Sequence, residues 1–364
     1  MNIVLPSPKH FQIQWHLTER CNLRCSHCYQ NSYNNPDLPL KSLRIILKQF
    51  VETIETFNKE RQYKIPAGIT LTGGEPFLRT DFFELLEEVI TFRKLFRFAI
   101  LTNGTFIDNT IAKRLRKLKP DYVQVSLDGT KETHETVRGR GSFEPAVEGI
   151  RQLVQAGIRT LISFTAGRYN VTDFPAVAQL GVELGVDRIW TDRFIPTTPE
   201  QQDASLSPEE TKTFFETIRR VRQSLRKSFL YRFIPQFMIR QSCTEISMNR
   251  ALQFLVGGGT MYHCSAGDSL VAVLPDGTLL PCRRLPIPVG NLLENPLLEL
   301  YRSSNLFQSL RTSRFNESSS CYRCPFSEGC GGGLRCLAYA ITNDSLSGDP
   351  ACWLRKNSNA VSAY

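Results

Sequence analysis

The sequence has no run of about 18 apolar residues, which excludes a membrane-spanning helix of the usual kind. No apolar segment follows the first charges of Met1–His10, so no secretory signal is expected and the chain is placed in the cytoplasm. Nor do its basic residues gather into one stripe. Runs such as Arg114-Leu115-Arg116-Lys117 and Arg219-Arg220-Val221-Arg222 are scattered and read as solvated helix faces. The formal charge of +9 therefore argues for neither nucleic acid nor a membrane as partner. What the chain does have is cysteine, eleven in 364 residues. In a reducing compartment, thiols at short spacing point to metal rather than to a disulfide framework. The apolar fraction of 41% is that of an ordinary globular protein, and the length suffices for one large domain and a smaller one.

From about residue 11 to 195, short β-rich runs alternate with longer amphipathic stretches. Strands are predicted at Phe11–Thr18, Gly68–Thr72, Phe98–Thr102, Tyr122–Leu127, Thr160–Thr165 and Arg188–Thr191. Helices are predicted at Leu40–Phe57, Asp81–Leu95, Asn109–Leu118, Phe143–Ala156 and Phe174–Leu184, where apolar residues recur at three- and four-residue spacing. Gly157 and Gly185 fall where two of these helices should stop. Six βα units in series imply a parallel sheet with helices outside it, too few to close an eight-stranded barrel. The expected fold class is α/β, a partial (β/α)6 barrel over 1–195. Residues 196–256 read as a bridge, with a loop at Pro196–Pro208, a helix at Pro208–Lys227 and a partly helical Ile234–Val256. From 257 to 364 the apolar periodicity fades, glycines multiply and most of the cysteines appear. This is expected to be a small cysteine-rich domain held together by metal.

Polar residues recur just past the predicted strands. Cys21 follows the first, Gly73-Gly74-Glu75 the second and Asn103 the third. Ser126 and Asp128 mark the end of the fourth, Asn170 lies shortly after the fifth, and Asp192 and Arg193 follow the sixth. In parallel barrels that rim builds the active site. Cys21, Cys25 and Cys28 supply three thiolates in the spacing C-x3-C-x2-C. A [4Fe–4S] cluster needs four ligands, so one iron would stay open to a substrate or cofactor. The alternative is a zinc site with His27 or His16 as a distant fourth ligand, although zinc sites more often pair C-x2-C modules.

The run Cys21-Asn22-Leu23-Arg24-Cys25-Ser26-His27-Cys28 resembles the signature of the radical S-adenosylmethionine (radical SAM) family, with His27 where that family usually has an aromatic residue. Thr72-Gly73-Gly74-Glu75-Pro76 resembles its glycine-glycine-glutamate-proline motif, which hydrogen-bonds the methionine amino group. Ser126, Asp128 and Arg138 resemble positions near the ribose and the methionine carboxylate, and Asn103 and Asn170 resemble further cofactor-binding positions. The resemblance implies that the open iron chelates the methionine amine and carboxylate. One electron then cleaves the sulfonium bond, and the 5′-deoxyadenosyl radical takes a hydrogen atom from substrate. A buried barrel would keep that radical from solvent.

The second array runs Cys264-x12-Gly277-x4-Cys282, then Cys321-x2-Cys324-x5-Cys330-x5-Cys336, then Cys352. Between its first two cysteines, Leu270–Leu274 and Thr278–Leu280 read as a hairpin with its turn at Pro275–Thr278. The array resembles the SPASM domain, which carries auxiliary iron–sulfur clusters in many peptide-modifying radical enzymes. By that resemblance Cys321, Cys324, Cys330 and Cys352 hold a distal cluster, and Cys264, Cys282 and Cys336 a proximal one. Cys336 comes two residues late, with Leu334 in the usual place, and its Gly-Gly-x-Arg-Cys context resembles the pyrroloquinoline quinone branch. The fourth proximal ligand is left open between Cys243, a non-cysteine side chain and the substrate. A zinc-binding tail is the alternative for the whole array. Cys243 stands outside the pattern and reads as a buried small side chain, a cluster ligand or a hydrogen-atom donor.

The implied activity is maturation of a ribosomally made precursor peptide, giving a thioether, carbon–carbon or carbon–oxygen crosslink or an epimerisation. A separate peptide-recognition protein and a flavodoxin- or ferredoxin-type electron donor are the expected partners. Sulfatase maturation is disfavoured, since Arg283 stands where such relatives carry an acid. The alternatives are a small-molecule enzyme of tetrapyrrole or quinone cofactor synthesis, which the Gly331–Arg335 run also suits, and a non-enzymatic iron–sulfur or zinc protein.

Overall fold

The computed structural model describes residues 7–30, 32–227, 244–259, 261–312, 319 and 321–355. Strands and helices alternate: β1 (Phe11–His16), α1 (Leu40–Arg61), β2 (Ala67–Thr72), α2 (Phe82–Val89), β3 (Arg97–Thr102), α3 (Asn109–Leu118), β4 (Tyr122–Ser126), α4 (Lys131–Arg138), α5 (Phe143–Gln155), β5 (Thr160–Ala166), α6 (Phe174–Glu183), β6 (Arg188–Arg193) and α7 (Pro208–Lys227). There follow β7 (Glu245–Ile246), β8 (Leu270–Val273), β9 (Thr278–Leu280), β10 (Gly290–Asn291), α8 (Leu297–Ser303), α9 (Asn305–Thr312), α10 (Ser327–Cys330) and α11 (Arg335–Thr342). These form two compact units. One comprises Met1–Ser126, Arg138–Thr160 and Ser265–Ser313, the other Leu127–Val137, Leu161–Cys264 and Arg314–Tyr364.

In the first unit the strands run in the order β10-β9-β8-β1-β2-β3-β4. β1 to β4 pair in parallel, each joined to the next through a helix. Alternation along β1 decides its facing. Phe11, Ile13 and Trp15 are buried, and the Phe11 ring packs on Phe50 and Phe57 of α1 and on Tyr301 of α8 at 5.2–6.1 Å. Gln12, Gln14 and His16 therefore share the opposite face. On α1 the buried residues Leu43, Ile46, Leu47, Phe50, Val51, Ile54 and Phe57 recur every three or four positions, giving one apolar stripe against the sheet. Enclosing a phenylalanine in this way contributes about 1.5–3 kcal/mol. The hairpin forms where the sequence predicts it, with Ala272 opposite Leu280, Val273 opposite Leu279, and Gly277 at φ 89° in its turn. β8 then pairs in parallel with β1, Gln12 beside Leu270 and Trp15 beside Val273. This pairing is not visible in the local pattern.

In the second unit β5, β6 and β7 pair in parallel. Phe164 of β5 packs on Phe174 of α6 and Phe214 of α7. Three expectations are corrected. The predicted helix Asp81–Leu95 ends at Val89 and continues as a 3-10 turn over Ile90–Phe92. Helix α4 escapes the pattern because only His134 and Val137 are buried on it. The partly helical reading of Ile234–Val256 gives, among the described residues, strand β7 and a 3-10 turn at Gln253–Val256. β7 forms there because the β6 edge accepts it, with Arg188 paired to Glu245 at 2.6 Å. Among the described residues no helix is long and apolar enough to cross a membrane.

Candidate functional site

In the first unit, the loop after β1 carries Cys21, Cys25 and Cys28, all half-buried and none in a disulfide. Its base is stitched to the segment after β2. Leu17 donates its N–H to the Thr72 carbonyl at 2.8 Å, Gly74 to Thr18 at 2.7 Å and Glu75 to Arg20 at 2.8 Å. The two glycines are required by this approach. A Cβ on Gly73, at φ 153°, would lie 2.6 Å from the Thr18 carbonyl oxygen, and one on Gly74 would lie 2.3 Å from that of Arg20. Arg79 fastens the loop from below. Its buried guanidinium donates to the carbonyls of Leu17 at 2.8 Å and Leu38 at 3.0 Å and pairs with Asp81 at 2.8 Å.

Glu75 is fully enclosed. Its Oε1 accepts from Thr102 Oγ1 at 2.8 Å and Phe77 N at 3.3 Å, and its Oε2 from Asn103 N at 2.9 Å. Burial pushes its carboxyl up to about 7, against the pull of these donors and of Arg138. The charged form of such a buried carboxyl is favoured by a cation brought against it. The Asn103 side chain donates to Asn22 Oδ1 at 2.9 Å and faces Cys21 Sγ at 4.0 Å. Arg138 sends one guanidinium nitrogen to Cys25 Sγ at 3.9 Å and the other to His27 Nε2 at 3.5 Å. The structure thus brings Gly73, Gly74, Glu75, Asn103 and Arg138 around the three thiols.

Burial, and then the nearby Glu75, Cys25 and Cys28, push the Cys21 thiol up to about 11, against the Leu23 N–H. A cation is needed to hold these thiols as thiolates. Among the described residues no three His, Cys, Asp or Glu side chains are grouped to hold a single metal ion. The His16 ring lies edge-on to that of Tyr29, centroids 6.4 Å apart. It is buried, and burial with the nearby Arg283 holds its imidazole well below the usual range. Arg283 donates to the Tyr29 carbonyl at 2.9 Å and stacks its guanidinium 4.7 Å from the Tyr29 ring centroid.

Ser126, half-buried at the end of β4, belongs to the same unit, as does Cys282. Asp128 and Asn170 belong to the second unit and spend their side chains on backbone. Asp128 Oδ1 accepts from Thr165 N at 2.7 Å, and Asn170 Nδ2 donates to the Asp128 and Thr165 carbonyls at 2.8 and 2.9 Å. In that unit Cys321, Cys324, Cys330 and Cys352 line one cavity with Phe254, Phe326 and other apolar residues, about 340 Å³ of empty space counting its open mouth. The four thiols that the SPASM resemblance groups together therefore line one cavity. Burial pushes Cys330 up to about 11 and Cys352 upward as well. Cys336 is buried in the first turn of α11 and Cys264 is half-buried. Cys243 lies outside the described residues.

Sequence reasoning missed Thr102, Arg79 and Asp349. Thr102 precedes a candidate and ends a strand, a signal that was available. Arg79 and Asp349 act through long-range contacts that no spacing encodes.

Residues 15–180 match the model of the radical SAM superfamily, and residues 264–325 that of the SPASM iron–sulfur cluster-binding domain. The AdoMet-dependent heme synthase of Methanosarcina barkeri is 27% identical over 348 residues, 94% of this chain and 96% of that protein. The mycofactocin maturase MftC of Mycobacterium tuberculosis is 27% identical over 357 residues, 93% of this chain and 82% of that protein. The fold matches Streptococcus suis SuiB, solved with S-adenosylmethionine, at a TM-score of 0.72 and 17% identity, over 97% of this chain and 79% of that one. The architecture is that of a partial barrel followed by a cysteine-rich region. The two matched models are those of the radical SAM superfamily and of an iron–sulfur cluster-binding domain, the chemistry that the cysteine spacings also point to.

Proposed function

The chain is a radical SAM enzyme with a SPASM iron–sulfur domain, and from that premise we propose that it acts on a carboxylate-bearing tetrapyrrole. The observation that carries this reading is the match to the heme synthase over nearly the full length of both chains. The stacked Arg283–Tyr29 pair, whose members directly follow Cys282 and Cys28, supports it, since a guanidinium over an aromatic ring suits a flat acidic ligand. When bound, the reduced cluster and S-adenosylmethionine together supply the 5′-deoxyadenosyl radical. Glu75 accepts hydrogen bonds from the cofactor's ammonium, and Thr102 and Asn103 hold its carboxylate for that purpose. Gly73 and Gly74 allow the close approach, Arg138 offers its charge to the cofactor carboxylate, and Ser126 meets the ribose. Asp128 and Asn170 act as positioning residues that fix the rim between β5 and its neighbours. A flavodoxin- or ferredoxin-type protein supplies the electron.

The second reading is a ribosomally made peptide, crosslinked or epimerised. It is supported by the MftC relative and by the fold match to SuiB, which is also solved bound to its precursor peptide SuiA. Such a reading needs recognition of the peptide by the barrel or by a separate protein.

The two readings separate in an anaerobic titration of the iron-loaded protein with iron coproporphyrin III. The tetrapyrrole reading expects a stoichiometric shift of the Soret band and porphyrin-dependent 5′-deoxyadenosine. No shift, together with 5′-deoxyadenosine that forms only with a co-expressed short peptide, would replace it with the peptide reading.

A further inference from the structure

One face of the first unit's sheet stays half-exposed. On β1, Gln12, Gln14 and His16 point away from the packed side of Phe11, Ile13 and Trp15, and Gln12 and Gln14 are only half-buried. Register carries this face across the sheet. Gln14 lies beside Thr70 of β2 and Ala272 of β8, Thr70 beside Ala99 of β3, and Leu101 beside Gln124 of β4. Thr70, Leu101 and Ser126 are half-buried in their turn. A closed barrel fills its interior with layers of bulky branched side chains. Here most of the corresponding residues are small or polar, which leaves an open face.

At the end of β1 three side chains cluster on Tyr29. His16 meets its ring edge-on, with centroids 6.4 Å apart. The Arg283 guanidinium lies over the same ring, 4.7 Å from its centroid, and donates to the Tyr29 carbonyl at 2.9 Å. Two of the three keep an unmet demand. His16 is 3% exposed, and its Nε2 has no hydrogen-bond partner among the described residues. Buried polar atoms are ordinarily paired, so this one is available to a ligand. Arg283 meets no carboxylate among the described residues. Other enclosed arginines do: Arg79 pairs with Asp81 at 2.8 Å, and Arg193 forks onto Asp349 at 2.9 and 2.5 Å. An imidazole N–H and a guanidinium held on one aromatic ring match the two oxygens of a carboxylate. Burial and the Arg283 charge keep the imidazole neutral, so it can share an acid with a cation.

We propose that His16 and Arg283 anchor one side-chain carboxylate of the substrate. One carboxylate oxygen accepts from the Arg283 guanidinium and the other from His16 Nε2–H, and the flat body of the ligand lies along the open face of Gln12, Gln14 and Thr70. Tyr29 is a positioning residue, holding His16 by its edge and Arg283 on its face. The inference rests on the tetrapyrrole reading and adds to it the residues that select an acid.

The test is an anaerobic Soret titration of the iron-loaded full chain with two probes, iron coproporphyrin III and its tetramethyl ester, which keeps the ring and has no free carboxylate. The wild-type chain is expected to bind the acid more tightly than the ester. Arg283→Met is expected to weaken the acid about 10–100-fold and to leave the ester unchanged, and Arg283→Lys to recover part of that loss. His16→Phe is expected to weaken the acid about tenfold, and His16→Gln, which keeps an N–H near the place of Nε2, to restore it. Acid binding that is unchanged in Arg283→Met or in His16→Phe overturns the proposal and leaves the tetrapyrrole reading standing. Equal weakening of acid and ester also overturns it, since the two residues would then act by packing. A wild-type chain that shifts the Soret band of neither probe overturns the tetrapyrrole reading, and this anchor with it.

Discussion

The two cysteine sets are held by different means. The thiols of the first unit ride on a loop that is stitched at its base by backbone hydrogen bonds and flanked by an enclosed carboxyl. Those of the second unit line a cavity with apolar walls, and the one carboxylate in that lining is already matched by a guanidinium. The first arrangement leaves electrostatic demand for a ligand, and the second satisfies its charges internally. A site built to admit a molecule and a site built to retain a cofactor can thus be told apart by how their buried charges are answered.

The largest effect that would break this comparison comes from Cys25→Ala. It is expected to abolish 5′-deoxyadenosine formation and to remove about four of about twelve irons per chain, measured by product chromatography and iron analysis. Cys330→Ser sharpens the contrast, since it should lower the iron content while S-adenosylmethionine binding, followed by calorimetry, persists. Undiminished iron would detach Cys330 from the cavity's proposed role.

Glu75→Gln is expected to weaken S-adenosylmethionine about 10–100-fold, because a charge-assisted hydrogen bond contributes about 1.5–3 kcal/mol. The same residue predicts a pH dependence. Its folded carboxyl titrates at about 7 against an ordinary 4.5, so the native state binds more protons between these values. Stability from this group is full below 4.5 and is lost as pH rises through about 7, a change of about 3 kcal/mol. Thermal melts of the metal-free chain should show that slope and lose it in Glu75→Gln. The smallest effect on chemistry belongs to Arg79→Met. It should cost about 3 kcal/mol of stability in a denaturant melt by leaving Asp81 and two carbonyls unanswered, with little change in radical yield per folded molecule.

Much of this was legible. Strands β1 to β6 fall within a residue or two of their predicted bounds, because buried parallel strands are short apolar runs between turn residues. The cysteine spacings are chemical and need no fold to be read. Illegible parts share a cause. β7 and the β8–β1 pairing depend on which sheet edges are open, and α4 buries too little to leave a periodic signal. Arg79 and Asp349 look like surface charges until their distant partners are known.

The pairing of β8 with β1 also bears on how the protein is made. Gln12 emerges early from the ribosome, but its edge partner Leu270 arrives only when most of the chain has been synthesised. Until then the strand that leads into the first cysteine loop has an unguarded edge, the kind of surface that recruits other chains. A truncation ending before Leu270 is expected to aggregate in an expression trial rather than to yield an isolated barrel.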